Sequence, residues 1–319
     1  MKIKAGIIGG AGYTGGELIR ILINHPNVVI DYVHSKSNAG KFVYEVHEDL
    51  LGETELVFSD SFHSNIDVVF LCVSHGDAKK LVDQFSANVK IIDLSQDHRI
   101  QSDHSFVYGL TEWNKSAIKK AKYIANPGCF ATAIQLAILP LAEANLLNGA
   151  IYASCTTGST GAGQSLTETS HFSWRQNNLS VYKAFTHQHL AEINQSIVTV
   201  QKQYNGNLHI LPQRGSFTRG ILACITLKSN LSLEELKRIF EAKYNDEPFV
   251  ILASKNCHLK QVVNTNKCVL YIEKNEEDVM IVSVIDNLLK GASGQAVQNM
   301  NLLFGLPETS GLKLKPVAF

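Results

Sequence analysis

Of six cysteines in this 319-residue chain, Cys129 is the one placed where a thiol could act as a nucleophile. It follows the turn Asn126-Pro127-Gly128 and opens an apolar stretch, Phe130 to Ala144, whose pattern predicts a helix. The N–H groups in a helix's first turn carry positive potential, which favours thiolate over thiol. Cys72, Cys155, Cys224, Cys257 and Cys268 fall mostly in apolar, strand-like runs and read as core. None forms a C-x-x-C pair, and Cys257-His258 with Cys268 lacks the close ligand pairs of a zinc site, so no metal is expected. A thiolate also needs a proton carrier. Among 12 histidines, the pair His187-Gln188-His189 stands out, because it follows a polar stretch and precedes a helical one, Leu190 to Ile197.

A second chemistry is written in Gly9-Gly10-Ala11-Gly12-Tyr13-Thr14-Gly15-Gly16, between a strand-like and a helix-like run. The spacings Gly10-x-Gly12-x-x-Gly15 and Gly9-x-x-Gly12-x-x-Gly15 both fit a dinucleotide fingerprint, in which bare backbone amides approach a pyrophosphate at a helix start. No Gly-Lys-Ser/Thr follows, which excludes the phosphate loop of nucleotidases. An NAD site usually sets a carboxylate at the end of the second strand. Asp31 is at about that distance, but the strand continues past it to a tip, His34-Ser35-Lys36-Ser37, with two hydroxyls and a cation. That set suits a 2′-phosphate, so NADP is the expected cofactor. Ser159-Thr160-Gly161-Ala162-Gly163-Gln164-Ser165 is a second loop that could cradle an anion with its backbone N–H groups.

The elements that must hold these residues alternate. Strands are predicted at Lys2–Gly9, Val28–Val33, Asp67–Val73 and Lys90–Leu94, with helices at Tyr13–Asn24 and Ala78–Phe85, the pattern of a doubly wound parallel sheet. After Cys129 the runs become more strand-like, at Arg219–Leu227, Cys268–Glu273 and Val279–Ile285. One clear helix lies among them, Leu233–Tyr244, with Ser232 and Glu235 in capping-box spacing. An α+β second domain follows, and a last helix, Gln295–Phe304, is placed to fold back on the first. Lys plus Arg and Asp plus Glu both total 29, which argues against a nucleic-acid partner. No apolar run approaches the roughly 18 residues of a membrane span, and no secretory signal pattern is present, so a cytoplasmic protein is expected.

Taken together these strings resemble the N-acetyl-gamma-glutamyl-phosphate reductase family, of the semialdehyde dehydrogenase type, along nearly the whole chain. Gly9–Gly16, Ser35-Lys36-Ser37 with Ala39-Gly40-Lys41, Ser74-His75-Gly76, Ile92–Arg99 and Asn126–Thr132 are similar to family motifs in order. So are Gly158–Gln164, Arg219–Leu222, Ile285–Gly291 and Gly294–Asn301. The resemblance implies an α/β fold, with a Rossmann-like NADP-binding domain at 1–128 and 295–319 and an α+β catalytic and oligomerisation domain at 129–294. It makes Cys129 the nucleophile and His187 its acid/base partner. It gives Gly9, Gly12, Tyr13, Thr14, Gly15, Ser35, Lys36, Ser37, Ser74, Asn287 and Gln298 to the cofactor. Arg99, Asn126, Ser159, Gly161 and Arg219 go to the substrate, the two arginines by bidentate pairing.

The implied reaction is NADPH-dependent reduction of an acyl phosphate to a semialdehyde through a cysteine thioester, in a homodimer or homotetramer. The chain departs from the family pattern with Phe130-Ala131 for Tyr-Pro, Gln188 for Arg, Ala191 for Pro, and Arg214 for an aliphatic residue. Those departures leave two acyl groups open, acetyl or succinyl, the second having a carboxylate that Arg214 could pair. A sister enzyme acting on aspartyl phosphate and a non-catalytic NADP-binding regulator are the competing readings.

Overall fold

The computed structural model describes residues 2–317; positions 1, 318 and 319, at the ends of the expected 1–128 and 295–319 domain, lie outside them. Contacts divide the chain into two units, one of Met1–Pro127 with Ala292–Lys313 and one of Gly128–Gly291 with the tail from Leu314. The tail differs from the expected allocation of 295–319 to the first domain. Asn264, in the second unit, donates to the Lys315 carbonyl at 3.3 Å.

The first unit is a wholly parallel seven-stranded sheet. Its strands are β1 (Ile3–Ile8), β2 (Val28–His34), β3 (Phe58–Ser59), β4 (Val68–Leu71), β5 (Lys90–Asp93), β6 (Phe106–Tyr108) and β7 (Tyr123–Ala125), in the order β3-β2-β1-β4-β5-β7-β6. The run at β4 is Val-Val-Phe-Leu, buried at every position, as a strand covered on both faces must be. Helices α1 (Tyr13–Leu22), α2 (Ala78–Val82) and α3 (Thr111–Ile118) connect the strands. Helix α1 buries Leu18, Ile19, Ile21 and Leu22 and stops short of Pro26. The predicted α2 extended to Phe85, but beyond Val82 the chain tightens into i to i+3 turns, with Phe85 N–H bonded to Val82 O. Strands β6 and β7 have three residues each, too few to show a period in sequence.

The second unit opens with α4 (Cys129–Glu143), whose residues from Phe130 to Ala142 are all buried. A helix apolar on every side is a core helix. It packs on one face of a mixed seven-stranded sheet built from β8 (Ile151–Thr157), β9 (Ser180–Val181), β10 (Leu208–Arg214), β11 (Ile221–Lys228), β12 (Val250–Leu252), β13 (Cys268–Asn275) and β14 (Asp278–Ile285). The order is β12-β13-β14-β11-β8-β10-β9. Helices α5 (Phe172–Arg175), α6 (His189–Val200) and α7 (Leu233–Tyr244) complete it. The capping box expected at α7 is formed, Ser232 Oγ accepting from Glu235 N–H at 3.2 Å.

The chain then contributes α8 (Gly294–Leu303) to the first unit, buried throughout. Its amides hold it there. Asn299 Nδ2 donates to Gly109 O at 2.9 Å and to Asn126 Oδ1 at 3.1 Å, while His25 Nε2 lies 3.1 Å from Asn301 Oδ1.

Candidate active site

Cys129 is the first residue of α4, with extended Gly128 as N-cap, and no acidic side chain sits in the first turn to cancel its positive potential. Two imidazoles stand at this turn. The His189 ring lies so close to Gly128 that a β-carbon there would collide with its Nε2. His189 Nε2 is 3.8 Å from Glu192 Oε1, and Glu192 Oε2 accepts the Gly128 N–H at 3.0 Å. Helix α6 presents these residues three apart, on one face, so a single carboxylate touches both the turn and the imidazole.

His187, just before α6, sits edge-on to the ring of Phe130 at 5.3 Å and to His189 at 4.6 Å. Its Nδ1 accepts the His189 backbone N–H at 3.2 Å, which leaves the neutral ring's proton on Nε2. Burial, then Lys183 and Arg214, lower its pKa to about 4 against an opposing pull from Glu192. His187 is therefore neutral at physiological pH.

Tyr182 faces His187 at 5.9 Å, and burial, with the nearby Cys129, pushes its phenol up to about 12. The Arg214 guanidinium lies 4.6 Å over the Tyr182 ring, and the buried Arg214 Nε has no hydrogen-bond partner. Arg175 braces this segment by donating to the Arg214 carbonyl at 2.8 Å. On the other side, a β-carbon at Gly291 would come within 2.7 Å of Cys129 Cβ, so a glycine is needed there for the cysteine to fit.

Other expected residues are placed differently. Ser159 and Gly161 lie in a one-turn 3-10 segment, Ser159–Ala162. The N–H groups of Gly158, Ser159 and Thr160 are bonded to the carbonyls of Gly220, Phe217 and Thr218 at 3.0, 2.8 and 3.1 Å. Two of these amides, Ser159 and Thr160, belong to the loop offered to an anion in the sequence, and a neighbouring backbone holds them instead. Asn287 fastens the same two segments, accepting from Gly220 N–H at 2.7 Å and donating to Thr160 Oγ1 at 3.0 Å. Arg219 makes its two-pronged contact with buried Asp286, at 3.1 and 3.2 Å, rather than presenting both prongs to a substrate.

In the first unit the glycine loop follows β1. Gly9 has φ +81°, a conformation that side chains resist, and a β-carbon on it would run into the Cys72 carbonyl. A β-carbon on Gly15 would lie 2.6 Å from Gly10 Cα, so helix and loop touch backbone to backbone. Gly12 is the N-cap of α1, with Tyr13 and Thr14 in the first turn; Ser293 Oγ donates to Thr14 O at 2.8 Å. Beyond β2, Ser35 is buried, whereas Lys36 and Ser37 are exposed in a 3-10 turn. Asp31 is paired with His63 at 3.0 Å. Exposed Ser74 lies in the turn after β4.

The loop, the Ser35–Ser37 tip and Ser74 all follow carboxyl ends of parallel strands, where α/β sheets bind ligands. This bare, glycine-lined helix start fits a dinucleotide. Gln298, by contrast, is fully buried and donates to Glu112 and Glu308 at 3.2 and 2.7 Å. Buried Arg99 donates to the carbonyls of Asn126 and Leu94, both at 2.8 Å, and Asn126 Nδ2 donates to Ala292 O at 3.0 Å.

His189, Glu192 and Tyr182 complete the surroundings of Cys129; His189 is offered by the sequence beside His187 as a candidate proton carrier, whereas Glu192 and Tyr182 were not among the expected site residues. The spacing His-x-x-Glu at the start of a helix is a signal for the first two; for Tyr182, in a loop, the sequence has none.

Residues 4–121 match the family model for the semialdehyde dehydrogenase NAD binding domain, and residues 129–287 that for the semialdehyde dehydrogenase dimerisation domain. An aspartate semialdehyde dehydrogenase II from Vibrio cholerae shares the fold, with a TM-score of 0.77 over 96% of this chain and 99% of that one at 14% identity. The two domain matches thus set the chain in the semialdehyde dehydrogenase class. The N-acetyl-gamma-glutamyl-phosphate reductases of Phocaeicola vulgatus and Flavobacterium johnsoniae are 56% and 55% identical to this chain, over 99% of it and 100% of each relative. The chain belongs to the N-acetyl-gamma-glutamyl-phosphate reductase family, and it is an oxidoreductase.

Proposed function

We propose that the protein reduces N-acetyl-gamma-glutamyl phosphate to N-acetyl-glutamate 5-semialdehyde, with NADPH as reductant and release of inorganic phosphate, in arginine biosynthesis. The carrying observation is Cys129 at the positive end of a buried helix, beside the His189–Glu192 pair, in a chain over half identical to reductases of that name. Cys129 thiolate attacks the acyl carbon, the carbon–oxygen bond to phosphate breaks, and a thioester remains. NADPH, when bound, supplies the hydride. The carbon–sulfur bond then breaks, releasing aldehyde and regenerating the thiolate.

The family resemblance gives proton transfer to His187 alone, and the geometry supports dividing it. A ring with a pKa of about 4 is unprotonated at pH 7 and serves as a fixed Nε2–H donor toward developing oxygen charge. His189, oriented by Glu192, takes and returns the proton. The glycine loop, Ser35–Ser37 and Ser74 hold the dinucleotide. Asn287, Gln298, Arg99, Asn126 and Arg219 act indirectly, by fixing the segments they bond. We read the protein as a cytoplasmic homodimer or homotetramer; among the described residues no helix is long and apolar enough to cross a membrane.

The reverse reaction tests the function. N-acetylglutamate semialdehyde should reduce NADP only when phosphate is present. A preference for aspartate semialdehyde would indicate the sister enzyme, and no turnover a regulator. The same assay with the N-succinyl compound decides the acyl group. The unpartnered Arg214 Nε beside the site favours succinyl as the second reading, and Arg214→Leu should then lower kcat/KM for that compound by roughly tenfold to a hundredfold, the loss of one charge-assisted contact. Unchanged preference clears Arg214.

Cofactor choice is read at the β2 tip. Lys36→Asp is expected to raise the Kd of NADPH by roughly tenfold or more while changing NADH little, because only the former brings a 2′-phosphate to the new carboxylate. Equal effects on the two would mean that this turn does not read the phosphate.

A further inference from the structure

We infer that His47 is a positioning residue for the dinucleotide, acting through the Gly10–Ala11 peptide of the glycine loop. The inference rests on dinucleotide binding by the first unit. His47 lies between two short 3-10 turns, Val43–Glu45 and Glu48–Leu50, and its backbone is tied into both, N–H to Val43 O and O to Leu50 N–H, each at 2.9 Å. Its ring is buried, with Nε2 2.7 Å from the Gly10 carbonyl. A carbonyl can only accept, so Nε2 carries the proton. The ring also lies against α1: a β-carbon on Gly16 would be 2.6 Å from its Cε1 and Nδ1. A rigid imidazole is thus wedged between the helix start and the loop that leads into it.

That contact has a directional consequence. In a trans peptide, the carbonyl of one residue and the N–H of the next point opposite ways, and the described chain has no cis bonds. The Gly10 N–H is already bonded to His34 O at 3.1 Å. With the Gly10 carbonyl drawn onto His47, the Ala11 N–H must point away from His47. No acceptor within the chain takes it, among the described residues. Ala11 immediately precedes Gly12, the N-cap of α1, so this donor joins the first-turn amides that would meet an anionic pyrophosphate. Without His47 the peptide could rotate, and a donor aimed in advance would have to be ordered at each binding event.

The test compares His47→Leu, which keeps bulk without a donor, with His47→Gln, whose side-chain amide can place an N–H near the Nε2 position. NADPH affinity is measured without substrate from nicotinamide fluorescence, beside thermal melting and kcat at saturating NADPH. His47→Leu should raise the NADPH Kd roughly tenfold, the scale of one unmet buried hydrogen bond. His47→Gln should recover most of that affinity, and both should keep kcat within about twofold, the chemistry being untouched. If His47→Leu fails to fold, His47→Asn, whose amide falls short of Gly10 O, takes its place in the comparison. An NADPH Kd unchanged in the donor-less variant, or a Gln variant as weak as the Leu variant, overturns the inference. Wild-type protein that binds no NADPH overturns dinucleotide binding itself, and the role of His47 with it.

Discussion

Cys129→Ser is expected to fold, to bind NADPH with nearly unchanged affinity, and to form no measurable semialdehyde, a loss of roughly 10⁴-fold or more in kcat/KM. The substitution exchanges sulfur for oxygen at the first position of α4 and disturbs nothing in the buried stretch from Phe130 to Ala142. The loss comes from reactivity. A helix start can bring a thiol toward ionisation near neutral pH, but a hydroxyl is too weak an acid for the same potential to ionise it. The neighbouring Cys155 thiol does not take the place of Cys129. Cys155 is buried in β8, and burial, reinforced by Cys224 and Cys129, pushes its thiol far above physiological pH. Steady-state reduction of the acyl phosphate and a parallel NADPH titration measure both halves of the expectation. A serine variant within tenfold of wild-type turnover would exclude a thioester on Cys129.

The two imidazoles give the second large effect. His189→Asn should lower kcat by roughly 10² to 10⁴, the usual worth of a positioned proton carrier, and Glu192→Gln should act in the same direction but less. His187→Asn should cost less than His189→Asn and should leave the shape of the kcat–pH profile above about pH 5 unchanged, because His187 is neutral there. The sign also reaches stability. The unfolded chain binds a proton at His187 with the ordinary pKa of 6.5, whereas burial lowers the folded value to about 4. Between those values the unfolded state holds more protons, so stability must fall as pH drops from 6.5 toward 4. Denaturant titrations across that window should show a shallower decline in His187→Asn. A larger turnover loss for His187→Asn than for His189→Asn would return the proton to His187.

The strongest local signals carried the sequence a long way. The glycine spacing after β1, the Pro-Gly turn before Cys129 and the Ser232–Glu235 box each depend on residues a few positions apart, where backbone geometry makes one-dimensional spacing equivalent to contact. Family strings along the chain extended this to the class of reaction. The limits lie where contact joins distant segments. Arg219 reads as an anion holder until β14 delivers Asp286 to it, 67 positions later. The Ser159 and Thr160 amides read as part of a cradle until the backbone at Phe217 and Thr218 takes them up. His47 is one histidine among 12 until the turns around it bring its ring to Gly10, 37 residues earlier.

The sequence by itself therefore determined the kind of chemistry, a helix-start thiol and a dinucleotide loop, because those features are local. Only the tertiary structure decided which polar groups are already engaged within the protein and which imidazole lies against the turn before Cys129. A buried donor or acceptor must find a partner wherever the fold provides one, and that partner's place along the chain follows no period.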